Sequence, residues 1–296
     1  MDATTCALPH CVTLNQQFLP LINIAVNCNP MKVSIVQTQI FWEDREKNLV
    51  HFDRLLQTIN EPVNLIVLPE MFTTGFTMQP ASNAEKADGV TLAWLKNQAV
   101  KKNATITGSV AVTENGKYYN RLFWVNPNGE VRCYNKRHLF RLAGEDLHYT
   151  AGKEKIILDS EGWKILPLIC YDLRFPVWSR NIFKKSGTSE AGQWDYDVLV
   201  YVANWPEVRN YPWKQLLIAR AIENQCYVVG VNRIGKDGNG YEHSGDSVVI
   251  NPRGEIISST RAHEESVEII TLNREYLDEY RKNFPVGLDA DAFEIG

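Results

Sequence analysis

The sequence predicts a mixed α/β protein of one domain, in which two packed β-sheets each carry helices on their outer face. Three observations predict it. Strand-like and helix-like segments alternate towards both ends of the chain. The middle is instead a run of antiparallel hairpins. No break in composition after Met31 marks a second domain. Sheets and helices each hide an apolar face, and helices stacked outside two facing sheets satisfy all of them.

The elements follow in order. MKVSIVQTQI, from Met31, is rich in β-branched residues and reads as the first strand. EDREKNLVHFDRLLQTIN follows as a helix, with Leu49, Phe52, Leu56 and Ile59 on one face at spacings of three and four. LIVLPE is a short continuous apolar run, as expected of a strand buried on both faces. TLAWLKNQAVKKN reads as a second helix, with Leu92, Leu95 and Ala99 on one side. ATITGSVAVTE, KYYNRLFWVNP and VRCYNK are strands separated by Glu-Asn-Gly and Pro-Asn-Gly-Glu turns. KILPLIC is another buried run, and RFPVWSRNIF after it reads as a helix. KKSGTSEAGQWD, residues 184–195, reads as a flexible surface loop. VLVYVANW is a strand and WKQLLIARAIENQ a helix. CYVVGVNR, DSVVINP and VEIITLN close the pattern as strands, with NPNGE and NPRGE as hairpin turns.

Composition narrows the class of function. The chain has 296 residues, 44% hydrophobic and 22% charged, with a formal net charge of -4 and no long basic block, which argues against nucleic acid as a partner. Cys6, Cys11, Cys28, Cys133, Cys170 and Cys226 are scattered, with no C-x-x-C pair. Free thiols fit a reducing compartment, so a cytoplasmic protein is expected. The His residues are scattered too, and neither a metal nor an organic cofactor is expected. GKDGNG, residues 235–240, lacks the order and setting of a dinucleotide loop and reads as a hairpin turn. FLPLINIAV, residues 18–26, is far shorter than the roughly 20 apolar residues of a membrane span. Residues 1–30 read as a loosely ordered extension. Met31 reads as the start of the domain, 31–296, and is a candidate for the start of the native protein.

Three polar residues stand at comparable strand ends: Glu70 after LIVLP, Lys136 after VRCYN and Cys170 after KILPLI. Ligands of sheets covered by helices bind outside such ends. Each residue alone has a plainer role. A lone Cys is inert packing, Glu70 alone suits a strand-end hydrogen bond, and Lys136 alone a solvated charge. Together they suit acyl transfer. A thiolate is the nucleophile, a helix start or an ammonium lowers its pKa, and a carboxylate takes its proton. Backbone N–H groups after the cysteine then face the oxyanion.

IVLPEMFTTGF, YNKRHLF and LICYDLRFP, in this order, resemble the Glu–Lys–Cys signatures of the nitrilase superfamily of carbon–nitrogen hydrolases. The stretch from YVANWPEVRNYPW to HSGDS resembles the omega-amidase branch, whose members hydrolyse the side-chain amide of 2-oxo-dicarboxylate monoamides. The resemblance runs from Met31 to about Ala292. It implies a four-layer α-β-β-α sandwich. It implies Glu70 as general base, Lys136 as stabiliser of the tetrahedral intermediate and Cys170 as nucleophile. Glu145 falls where a second glutamate orients the lysine or water, with Asp146 beside it as the competing acid. It also implies a homodimer, with the tail from about residue 273 reaching towards a neighbour.

The substrate's carboxylate needs a basic partner. Arg174, four residues after Cys170, is the first candidate, against a structural ion pair with a buried acid; Arg137 and Arg141 are others. Tyr171 offers a backbone N–H. Phe140 and Trp205 are candidates for the pocket wall, against plain core packing. His243 reads as a hydrogen-bonding loop residue. Two competing readings remain at this level: another amide, carbamoyl compound or nitrile as substrate, and a non-catalytic binding member of the same fold.

Overall fold

The computed structural model describes residues 30–185 and 192–294. Their strands are β1 (Met31–Gln37), β2 (Leu65–Val67), β3 (Glu85–Lys86), β4 (Thr105–Glu114), β5 (Lys117–Val125), β6 (Val131–Asn135), β7 (Leu158–Ser160) and β8 (Trp163–Ile169). There follow β9 (Phe183–Lys185), β10 (Gly192–Trp194), β11 (Val198–Ala203), β12 (Tyr227–Asn232), β13 (Ile234–Lys236), β14 (Glu242–Ser244), β15 (Val248–Ile250) and β16 (Ser266–Leu272). The helices are α1 (Arg45–Gln57), α2 (Pro80–Asn83), α3 (Val90–Lys102), α4 (Glu145–His148), α5 (Pro176–Ser179), α6 (Asn210–Asn224) and α7 (Arg274–Asn283).

One sheet runs β16-β1-β2-β4-β5-β6, with β3 beside β4; the other runs β15-β12-β11-β8-β7. Each has a parallel centre, β1-β2-β4 in the first and β8-β11-β12 in the second, flanked by antiparallel strands. Side chains alternate across β1. Val33 and Ile35 enter a core shared with β8, β11 and β12, whereas Val36 joins Leu49, Phe52 and Leu56 of α1 and Leu95 and Ala99 of α3 on the other side. The second sheet is covered by Trp213, Leu217 and Ala221 of α6 and by Leu277 of α7. This is the predicted four-layer arrangement. A Cβ on Gly230 of β12 would lie 2.7 Å from Leu217, so α6 sits this close only because that residue is glycine.

Several expectations need correction. RFPVWSRNIF is not one helix: a 3-10 turn spans Cys170–Arg174, α5 is a single turn, and Phe183 already belongs to β9. The helix stops because Asn181 is used elsewhere. Its side chain donates to the Tyr196 and Asn224 carbonyls, and its N–H donates to the Asn224 side chain. The loop at 184–195 is structured at both ends, where β9 and β10 pair with Gly192 opposite Lys185; residues 186–191 lie outside the described part. So do residues 1–29, and with them the reading of the extension. Apart from these corrections, the tail from residue 273 holds Asp197 through Arg274 and Arg281, at 2.9 and 2.7 Å.

Candidate active site

Glu70, Lys136, Cys170 and Glu145 arrive from four segments and meet between the two sheets. Glu70 follows β2, Lys136 follows β6, Glu145 opens α4 and Cys170 follows β8. Lys136 Nζ donates to Glu70 Oε1 at 2.9 Å and to Glu145 Oε2 at 2.9 Å. All three of these side chains are at most 1% exposed. Asn120, in the middle of β5, donates to Glu70 Oε1 at 2.8 Å and to Glu145 Oε1 at 3.2 Å. The Phe140 N–H closes the Glu145 carboxylate at 2.6 Å. Glu70 Oε2 accepts the Asn204 N–H at 2.8 Å, and the Asn204 amide reaches back to the Glu70 carbonyl. Cys170 lies close enough to Glu70 for the carboxylate to raise the pKa of its thiol.

The electrostatics follow from burial. Removing Lys136 from water would lower its pKa, but Glu145 and Glu70 outweigh this and keep it an ammonium. Burial pushes the Glu145 carboxyl up, against the pull of Lys136. Burial and then the neighbouring Glu70 charge push the Cys170 thiol well above its ordinary value, against a smaller pull from Lys136. The expectation that a helix start lowers this pKa is therefore overturned, because the helix is one turn long and the thiol is buried against a carboxylate. The thiol stays protonated in the free protein, beside the Glu70 carboxylate.

Cys170 adopts a φ of 42°, a left-handed backbone that non-glycine residues rarely take. This conformation turns the chain sharply out of β8 and sets the side chain at the strand end. The first N–H groups of the turn, Tyr171 among them, have no partner within the turn.

Cys170 and Lys136 line a cavity of about 340 Å³ together with Phe140, Tyr171, Arg174 and Trp205, whereas Glu70 and Glu145 lie behind its wall. Trp205 also packs on Trp213 at 5.5 Å, so its wall and core roles coincide. Arg174 makes no ion pair among the described residues; its guanidinium lies over the Trp205 ring at 5.2 Å. The buried acid nearby, Asp172, is held by His138 instead. Arg137 turns to the Gly152 carbonyl and the Trp178 ring, and Arg141 pairs with Asp146 at 2.8 Å, so neither reaches the cavity. His243 lines the cavity and bonds the Gly235 and Tyr241 carbonyls. Burial and Arg233 push its pKa down to about 4, so the ring is neutral at neutral pH.

Three contributors escaped the sequence. Asn120 had one signal, a polar amide inside an otherwise apolar strand. Asn204 acts mainly through its backbone N–H, which no side-chain pattern reveals. Arg209, just ahead of α6, also lines the cavity. Among the described residues, no group of three His, Cys, Asp or Glu is placed to hold a metal ion. Likewise no helix there is long and apolar enough to cross a membrane.

Comparison with known proteins adds to this geometry. A family model described as carbon–nitrogen hydrolase matches residues 32–282. The omega-amidase YafV of Escherichia coli K12 is 48% identical over 265 residues, covering 90% of this chain and 98% of that one. A 2-oxoglutaramate amidase of Bacillus subtilis is 34% identical over 257 residues, covering 86% of this chain and 95% of that one. Among solved structures, the CN-hydrolase superfamily protein XC1258 of Xanthomonas campestris, with an arsenic adduct in its active site, matches at a TM-score of 0.86 and 42% identity. It covers 90% of this chain and 100% of that one.

Proposed function

We propose, from the premise that this chain belongs to the carbon–nitrogen hydrolase family, that it is an omega-amidase. It hydrolyses the side-chain amide of 2-oxo-dicarboxylate monoamides, such as 2-oxoglutaramate and 2-oxosuccinamate, to the acid and ammonia. The observation that carries the chemistry is a thiol lining an open cavity, beside a buried carboxylate that also holds a buried ammonium.

In this reading Glu70 takes the Cys170 proton as the sulfur attacks the amide carbon. The transfer moves charge from carboxylate to sulfur without changing the total, which suits a buried site. The carbonyl oxygen becomes an oxyanion beside the Lys136 ammonium and the Tyr171 N–H. One such donor is worth about 2.7–4 kcal/mol in the transition state. Glu70 returns its proton to the amide nitrogen, the C–N bond breaks, ammonia leaves and a thioester remains. Water then loses a proton to Glu70 and adds to the thioester. Collapse releases the acid, and the thiolate recovers its proton from Glu70. Splitting the reaction at the thioester replaces one hard step with two easier ones. Glu145, pinned by the Phe140 N–H, holds Lys136 in place throughout.

The direct test is ammonia release from 2-oxoglutaramate, beside a simple nitrile and a carbamoyl compound. Release from the first establishes the substrate class; release only from another compound removes it. Cys170→Ser should abolish turnover and leave the fold intact. Unchanged turnover would remove the nucleophile. We further propose a cytoplasmic homodimer, which light scattering tests; a single monomeric mass would contradict the assembly.

A further inference from the structure

Charge in the cavity is not exhausted by Lys136, which is matched by two carboxylates. Arg174 and Arg209 line the same cavity, and neither makes an ion pair among the described residues. Each guanidinium lies over an aromatic ring instead, Arg174 over Trp205 at 5.2 Å and Arg209 over Phe140 at 5.4 Å. They come from different elements, one from the turn after Cys170 and one from the entry to α6. The carboxylate nearest in the lining, Asp237, spends Oδ1 on the N–H groups of Asn239 and Tyr241 in its own hairpin turn.

We infer that Arg174 and Arg209 together receive the 2-oxo acid end of the substrate and, by the same charge, reject the corresponding 2-amino acid. This rests on the omega-amidase reading and adds to it the residues that separate 2-oxoglutaramate from glutamine. A 2-oxo acid presents only acceptors at that end, two carboxylate oxygens and a ketone oxygen. A guanidinium presents only donors, in a fixed planar fork. Lying over Trp205 and Phe140 positions both forks in part before substrate arrives, so less rotamer freedom is lost on binding. Glutamine carries the same reacting amide but puts an ammonium where the ketone was. That cation would face two guanidinium groups, against the one carboxylate among the described residues of the lining, Asp237, which already accepts two N–H groups of its own turn. Discrimination is thus built by repulsion as well as attraction.

The test compares kcat/KM for 2-oxoglutaramate, glutaramate and L-glutamine in the intact protein and in Arg174→Met, Arg209→Met, Arg174→Lys and Arg209→Lys. Melting temperature checks that each variant is folded. The preference for 2-oxoglutaramate over L-glutamine should fall at least tenfold in each Met variant, mainly through KM for the oxo acid. The Lys variants keep the charge and lose the fork, so they should retain more of the preference than the Met variants do. A preference unchanged in both folded Met variants overturns the inference and leaves the omega-amidase reading standing. Hydrolysis of glutaramate without hydrolysis of 2-oxoglutaramate removes that reading. A variant-sensitive requirement for the glutaramate carboxylate would then still support the arginine pair as an acid receptor.

Discussion

His138 and Asp172 tie the lysine segment to the cysteine turn. The Asp172 carboxylate accepts the His138 N–H at 3.0 Å and bonds the His138 ring nitrogen Nδ1 at 2.8 Å. Its other oxygen accepts Tyr134 OH at 2.8 Å and the Ile169 N–H at 3.0 Å. His138 lies two residues after Lys136, and Asp172 two residues after Cys170. One buried carboxylate therefore fixes two chemical groups that belong to different sheets, and Phe175 stacks on the His138 ring at 3.7 Å to complete the joint.

Asp172→Asn should lower kcat far more than it changes KM. An amide cannot accept from both sides, and each lost bond to the charged group costs about 1.5–3 kcal/mol. The turn then holds Cys170 less firmly against Glu70, while the cavity that binds substrate persists. Steady-state kinetics check this; a change confined to KM would contradict the joint.

Glu145→Gln should reduce kcat about a hundredfold. Lys136 now divides its hydrogen bonds between two carboxylates. With one neutralised, the ammonium binds Glu70 more tightly, and Glu70 becomes a weaker base. Turnover on 2-oxoglutaramate measures it, with Glu145→Ala expected to be no more active.

Glu70→Gln should uncouple the thiol from catalysis. The Glu70 carboxylate helps burial hold the proton on Cys170. Removing its charge should move the thiolate titration, followed by ultraviolet absorbance against Cys170→Ser, to lower pH. Turnover should nevertheless fall at least about a hundredfold, the usual loss of a general base. A titration that moves to higher pH would contradict the assignment.

Stability should fall at alkaline pH. Burial raises the pKa of Cys170, Cys226, Tyr134 and Tyr196 in the folded chain. Above about 8.5 for an unfolded thiol and about 10 for an unfolded tyrosine, the unfolded chain gives up protons that the folded chain keeps. Stability then declines with pH by about 1.4 kcal/mol per unit for each such group, until the folded value is reached. Urea midpoints at successive pH values from neutral upward should show the decline beginning in the thiol range and steepening in the tyrosine range.

Asp197→Asn should release α7. Burial alone would raise this carboxyl, but Arg274 and Arg281 override it and hold it below its ordinary value. Its stabilisation is therefore complete above the unfolded carboxyl pKa of about 3.9 and is lost as pH falls through the lower folded value. Removing the charge leaves two buried guanidinium groups short of a partner, at about 3 kcal/mol. Thermal unfolding and proteolysis of the C-terminal segment check it.

Apolar period and turn chemistry are local properties, so the sequence by itself determined the sheets, α1, α3, α6 and the hairpins, from single stretches such as LIVLP and NPNGE. The positions of Glu70, Lys136 and Cys170 at strand ends were legible for the same reason. What the tertiary structure decided are the quantities that depend on neighbours distant in sequence. The segment 174–183 breaks because Asn181 bonds Tyr196 and Asn224, which lie far along the chain. The thiol is held protonated because burial and Glu70, one hundred positions earlier, outweigh the start of a turn. Asn120, Asn204 and Arg209 joined the site only through folding, because a hydrogen bond or a shared cavity wall is set by distance in space and leaves no period in the chain.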